Sequence, residues 1–427
     1  MKHLVLSLFS FLFFTTGVSA QLTLEHCQQL AQENYPLIKK YGLIDKALEI
    51  ELSDINKSWL PSVSAYGQGT IQNVVPAFPA ALEDVLAQMG REVRGIGKFQ
   101  YKIGVDVSQT IWDGGASKAQ QEIIRSQEAV QKSGLDVEMY ALRQKVDNVY
   151  FSILLTEEQI KQANQTLELL NANLELLRSM LKNGTAMSCD VDMVQAQMLT
   201  LKQSISQAES AVKSYRTLLS LYVGEDVATQ QLVLPSAELP ASMTSERPEL
   251  KLFESRLKAL ETSQLMIDIS LMPKVGFFAQ AYYGYPGFDY FKSMMNRNLS
   301  FNIMAGVRVS WNIDPLYTKK NKLAKTALEV DNINIEQETF LFNSRLQTES
   351  QLETLEGLKN VMRDDAQIIE LRGNVRKAAE SQLRNGIIDA TALLSKITDE
   401  NLAKLNAKFH EIQYIQEVYK IKNTLNR

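Results

Sequence analysis

The sequence predicts a mainly α-helical chain of long antiparallel helical hairpins that also carries four β-strands. Three observations carry this. Two long stretches hold no proline, a heptad seam runs through the first of them, and period-two segments lie between the helical stretches.

Residues 1–20 stand apart. Met1-Lys2-His3 gives a basic start, Leu4 to Phe14 is almost wholly apolar, and Val18-Ser19-Ala20 is a small-residue cleavage pattern. This is the pattern of a secretory signal peptide cut after Ala20. The apolar run is too short to span a bilayer, and no later stretch offers the ~20 apolar residues of a membrane helix. Cys27 follows closely, but Leu24-Glu25-His26 does not suit lipoprotein processing, so Cys27 reads as a free or buried thiol.

Helices come next. Prolines are absent from 80–234 and after 315, and proline is the strongest helix breaker. Leu142, Val146, Val149, Ile153, Ile160, Leu167, Leu170, Leu174, Leu177 and Leu181 recur in steps of three, four and seven. That is a coiled-coil seam. In the second stretch Val361, Ile368, Leu371, Val375 and Ala378 share one face. Helices are expected over 116–182 and 318–384, each roughly 100 Å long at 1.5 Å per residue. Shorter helices return over 188–223 and 388–423, and others precede the strands over 36–58 and 248–271.

Strands are expected where apolar and polar residues alternate: 62–73 with 98–112, and 274–284 with 299–313, as two hairpins. The first hairpin reads as having the longer loop, rich in proline and glycine.

The chain reads as a duplication. Pro36 and Pro61 recur as Pro248 and Pro273, while Leu181-Lys182-Asn183-Gly184 recurs as Leu383-Arg384-Asn385-Gly386. The expected units are the signal peptide 1–20, a first repeat 21–224, a linker 225–246 and a second repeat 247–427.

Composition narrows the function. Forty-five Lys and Arg against 49 Asp and Glu give a net charge of −4, which argues against a nucleic-acid partner. Two Cys and three His, none at ligand spacing, leave no metal site, no cofactor and no catalytic grouping to expect. The two cysteines are expected to lie too far apart to pair.

Four strands with an outward apolar row cannot close a barrel alone, because open edges in lipid leave backbone groups unsatisfied. Closure needs several chains. Phe99, Tyr101, Ile103, Val105, Val107, Leu299, Phe301, Ile303, Ala305, Val307 and Val309 would then face lipid. Gln100, Lys102, Asp106, Asn302 and Arg308 would face a wet lumen. Trp59, Trp112 and Trp311 would form an interfacial girdle. The alternative is a soluble β-cap on an exported coiled-coil rod.

With its signal peptide, its Leu24-Glu25…Ala31…Asn34…Pro36 opening and its duplicated proline–strand–loop–strand–long-helix unit, the chain resembles the TolC-type outer-membrane efflux proteins, the outer membrane factors. Val107-Ser108-Gln109…Trp112-Asp113-Gly114-Gly115 and the two Asn-Gly turns fit the same family. The resemblance implies a homotrimer in the outer membrane of a Gram-negative cell: a 12-stranded barrel in lipid, continued into the periplasm by an α-helical tunnel. It implies the exit duct of a tripartite efflux pump, with a periplasmic adaptor and an inner-membrane transporter as partners. The outer-membrane component of type I protein secretion is the alternative.

The resemblance also places functional residues. Gly184 and Gly386, flanked by Lys182 and Arg384, match the turns where adaptors dock. A residue without a side chain lets another backbone approach, although a helix-capping glycine would look the same. Asp190 and Asp192 could serve as the acidic tunnel constriction in the first repeat; in the second, the matching places hold Ala392 and Leu394, with Asp389 near, which implies a weaker or differently built gate. The alternative is solvated helix-end acids.

Overall fold

The computed structural model describes residues 22–90 and 95–427. The signal-peptide segment lies outside them. In chain order, α1 spans Leu24–Asn34, a short 3-10 turn spans Pro36–Ile38 and α2 spans Lys39–Lys57. Strand β1 (Ser62–Ile71), helix α3 (Ala80–Gln88) and strand β2 (Phe99–Trp112) follow, then α4 (Ala116–Lys182) and α5 (Ser188–Val223). The order recurs as α6 (Pro248–Ile269), β3 (Lys274–Tyr285), α7 (Tyr290–Met295), β4 (Ser300–Ser310), α8 (Pro315–Arg384) and α9 (Ala390–Leu425).

The first hairpin loop contains Ala80–Gln88 as α3, and α7 occupies the matching place in the second hairpin. One expectation needs correction. On α8 the expected apolar face points outward. Val361, Ile368, Leu371 and Val375 are exposed, while Ser344, Thr348, Leu355 and Ala379 are buried. Small and hydroxylic side chains line that buried stripe, and a search for large apolar residues passes over them.

The chain divides into two compact units. One comprises residues 22–41, 134–250 and 337–427. Its main core joins Leu24, Cys27 and Ala31 of α1 to Leu142, Val146, Tyr150, Phe151 and Ile153 of α4, with Leu219 and Val223 of α5 and Ile412, Ile415 and Tyr419 of α9. The heptad seam of α4 is thus buried where it reaches this core. Beneath it, a single parallel bridge joins Leu22 to Leu232, and the buried Tyr150 hydroxyl accepts a hydrogen bond from Val233 N at 3.0 Å.

The other unit comprises 42–133 and 251–336 and holds all four strands. Here α2 runs antiparallel to the first turns of α4. Gln121 Nε2 donates to Asn56 Oδ1 at 2.9 Å, and Lys132 Nζ lies 2.6 Å from Asp45. The same holds between α6 and α8, where Lys319 Nζ lies 2.7 Å from Asp268 and Arg256 Nη1 lies 2.5 Å from Glu336.

The strands form one antiparallel sheet in the order β1-β2-β3-β4. Besides the two expected hairpins, β2 pairs with β3. Asp113-Gly114-Gly115 makes the corner from β2 into α4. Gly114 and Gly115 have φ of +74° and +92°, a region L-residues avoid. A Cβ on Gly114 would lie 2.6 Å from Met272 Cβ. Asp113 caps the helix, its carboxylate accepting from Gly115 N at 2.9 Å and Ser117 N at 2.6 Å.

Candidate functional site

The candidate functional residues lie in two places, the sheet and the paired helical turns. In the sheet, the register sorts every side chain. Ile103 lies across from Gly67 and Tyr283, and Val105 across from Ala65 and Ala281. Ile303 lies across from Ala281, Phe301 from Tyr283 and Val307 from Phe277. Side chains of directly paired residues share a face, so Phe99, Tyr101, Ile103, Val105, Val107, Phe301, Ile303, Ala305, Val307 and Val309 line one face of the single sheet. Most of that row is bare: Phe301 is 69% exposed and Ile303 67%. Val107 is only half-buried, and Leu299 falls just before the strand.

The opposite face carries Tyr66, Gln100, Lys102, Asp106, Gln280, Tyr282 and Arg308. Gln280 Nε2 donates to Asp106 Oδ1 at 2.8 Å and to Tyr66 Oη at 3.0 Å. Asn302 departs from its expected place in a wet lumen. It is 8% exposed, accepts from Phe288 N at 2.8 Å and donates to Ser300 O at 2.9 Å. Its amide is used to fix the β3–β4 connection.

Trp59 follows α2, Trp112 ends β2 and Trp311 follows β4, and all three are exposed. Trp311 Nε1 donates to Leu271 O at 2.9 Å.

In the other unit, the two Asn-Gly turns have one geometry. Thr185 N donates to Met180 O at 2.9 Å and Gly184 N to Leu181 O at 3.0 Å; Ile387 N donates to Gln382 O and Gly386 N to Leu383 O, both at 2.9 Å. Each is a Schellman motif, with the glycine in the left-handed region at φ +75° and +69°. Lys182, Gly184, Arg384 and Gly386 are all exposed. A Cβ on either glycine would meet nothing within 4 Å. The helices behind both turns share one core of Leu170, Leu174, Leu177, Val191, Val194, Leu383, Leu393 and Ile397.

The expected constriction residues have local duties. Asp190 accepts from Met187 N at 3.0 Å, and Asp389 caps α9 by accepting from Ala392 N at 2.8 Å. Asp192 is exposed. An ion-pair cluster that sequence reading missed ties α8 to α9: Arg376 pairs with Glu400 and Glu380, and Lys404 reaches Glu400 at 2.9 Å. Burial alone would raise the Glu400 carboxyl. Hydrogen bonds from Lys404 and Arg376 outweigh it and hold the group below the usual range. No periodicity signal marks these residues; only their charge does.

Among the described residues no group of three His, Cys, Asp or Glu could hold a metal ion. No helix among them is long and apolar enough to cross a membrane.

Residues 51–225 match the family model for outer membrane efflux proteins. Over this segment the chain is similar to the outer membrane efflux proteins. The match runs from the end of α2 through β1, β2, α4 and α5.

Solved structures share the fold. The outer-membrane channel OprN is 15% identical with a TM-score of 0.64, the likeness covering 94% of this chain and 89% of that one. CusC, described as forming a transmembrane channel, is 13% identical at a TM-score of 0.67, covering 95% and 92%. The outer membrane protein VceC of Vibrio cholerae is 12% identical at 0.65, covering 94% and 95%. No curated protein shows significant sequence similarity to the chain.

Proposed function

We propose that this chain is an outer-membrane efflux protein, working as a homotrimer whose three sheets close one 12-stranded barrel in outer-membrane lipid. In this reading it is the passive exit duct of a tripartite pump, and its helices carry the duct into the periplasm. A periplasmic adaptor docks at the turns around Gly184 and Gly386, beside Lys182 and Arg384, and an inner-membrane transporter supplies cargo. Asp190 and Asp389 stand at the same turns and set the charge of the narrow end. The matched turns and the recurring element order support a division into two repeats, 21–224 and 247–427, joined by 225–246.

One observation carries the reading: a sheet with a continuous apolar face has β1 and β4 as its outer strands. An outer strand in lipid must find a partner, and β4 of one copy beside β1 of the next supplies it. The experiment is export from living cells. Cells lacking the chain should retain a fluorescent pump substrate, and re-expression should restore its release. Export unaffected by the loss would remove the reading.

A further inference from the structure

The polar face of the sheet carries an unbalanced charge. Within the strands its groups charged at neutral pH are three cations, Lys102, Lys274 and Arg308, and one carboxylate, Asp106, a surplus of two positive charges. The carboxylate is held against the wall by Gln280. Lys102 and Arg308 have no carboxylate partner among the described residues.

Each of these two cations lies instead on an aromatic bed. Lys102 Nζ sits 5.5 Å from the Tyr66 ring centroid and 5.4 Å from that of Tyr282. The Arg308 guanidinium sits 4.8 Å from the Phe278 ring centroid. Such contacts hold a cation in place without neutralising its charge.

Glycines clear the space for both beds. Gly284 lies directly across from Lys102, and a Cβ there would fall 2.5 Å from Lys102 Cβ. A Cβ on Gly104 would fall 3.0 Å from the Tyr66 ring and 2.8 Å from Tyr282 Cβ. Arg308 lies across from Gly276, and a Cβ on Gly306 would fall 3.0 Å from the Phe278 ring. The same device of ring, glycine and unpaired cation thus occurs twice on one face.

We propose that the barrel lumen prefers anions, with Lys102 and Arg308 as the residues that select negatively charged solutes. The proposal rests on the duct reading above, in which this face lines the lumen and threefold closure repeats the surplus. A ring of like charges in a narrow, low-dielectric pore concentrates counter-ions and repels co-ions.

The test is the reversal potential of the full-length protein in planar lipid bilayers under a potassium chloride gradient at low ionic strength, where screening is weakest. With Asp190→Asn and Asp389→Asn removing the acidic charge of the narrow end, the channel should favour chloride. Lys102→Gln with Arg308→Gln should lower the chloride-to-potassium permeability ratio by about threefold or more, and Asp106→Asn should raise it. SDS-resistant trimers in each variant would show that assembly is intact. A channel that still favours potassium once Asp190 and Asp389 are neutralised, or a Lys102/Arg308 double variant with an unchanged ratio, would overturn the selectivity assignment while leaving the duct in place. A wild type that forms no channel at all would instead overturn the duct reading, and this assignment with it.

Discussion

Val105 and Ile303 flank a single residue: each lies directly across from Ala281, Val105 through the β2–β3 pairing and Ile303 through the β3–β4 pairing. Two residues 198 positions apart in the sequence therefore belong to one apolar row. This relationship turns the alternation within each strand into a surface shared by both hairpins, and it gives that row a testable tolerance.

An arginine at the middle of a lipid-facing row costs roughly 2–4 kcal/mol. Val105→Arg or Ile303→Arg should reduce the protein recovered in outer-membrane fractions. Lys102→Ala, on the opposite face, should leave recovery unchanged. Equal recovery of all three would contradict a lipid-facing row.

At the turns, a Cβ added to Gly386 would project into open space, so the cost is the left-handed backbone alone, roughly 1–2 kcal/mol. Gly386→Trp should therefore keep the trimer but abolish export, because the bulk stands where a partner must approach. Normal export in cells making this variant would remove the docking role of the turn.

The thiols offer a probe of the same place. Cys189, the second residue of α5, is exposed, whereas Cys27 is buried and burial pushes its thiol up to about 12. A maleimide should label Cys189 rapidly and Cys27 only after unfolding. Labelling of Cys189 in cells should slow when the adaptor is co-expressed; an unchanged rate would place the adaptor elsewhere.

Asp147 predicts a pH dependence. It is buried, accepting from Gln28 Nε2 and Asn423 Nδ2, both at 2.5 Å. Burial raises its carboxyl from 3.8 to about 6. The folded state thus holds the proton more tightly than the unfolded one. Stability from this group is full below pH 3.8, falls as pH rises, and is lost above about pH 6. The loss is on the order of 3 kcal/mol. Asp147→Asn should flatten the melting temperature between pH 4 and 6, as followed by circular dichroism in detergent. A slope as steep as the wild type's would assign it to other groups.

How much of this was legible depends on which signal each residue carries. The seam of α4 was plain because Leu142, Val146, Ile153, Leu170, Leu174 and Leu177 are large, apolar and buried. The strands were plain because alternation survives even where glycines intervene. The packing stripe of α8 was not, since Ser344, Thr348 and Ala379 approach closely without leaving an apolar period. Asn302 misled for a related reason: a polar residue in alternation reads as wet, yet its amide serves a neighbouring backbone N–H. Asp190 and Asp389 could be placed at the turns from sequence, but their capping bonds required coordinates. The turn glycines were legible as turns. That both turns rest on one shared core was not, because nothing in a linear sequence states which helix ends meet.

The most direct measurement is the mass of the particle extracted from outer membranes with mild detergent. Three chains in one complex, insoluble once the detergent is removed, is the result this account predicts. A single chain that stays dispersed in plain buffer and ignores lipid vesicles would contradict it.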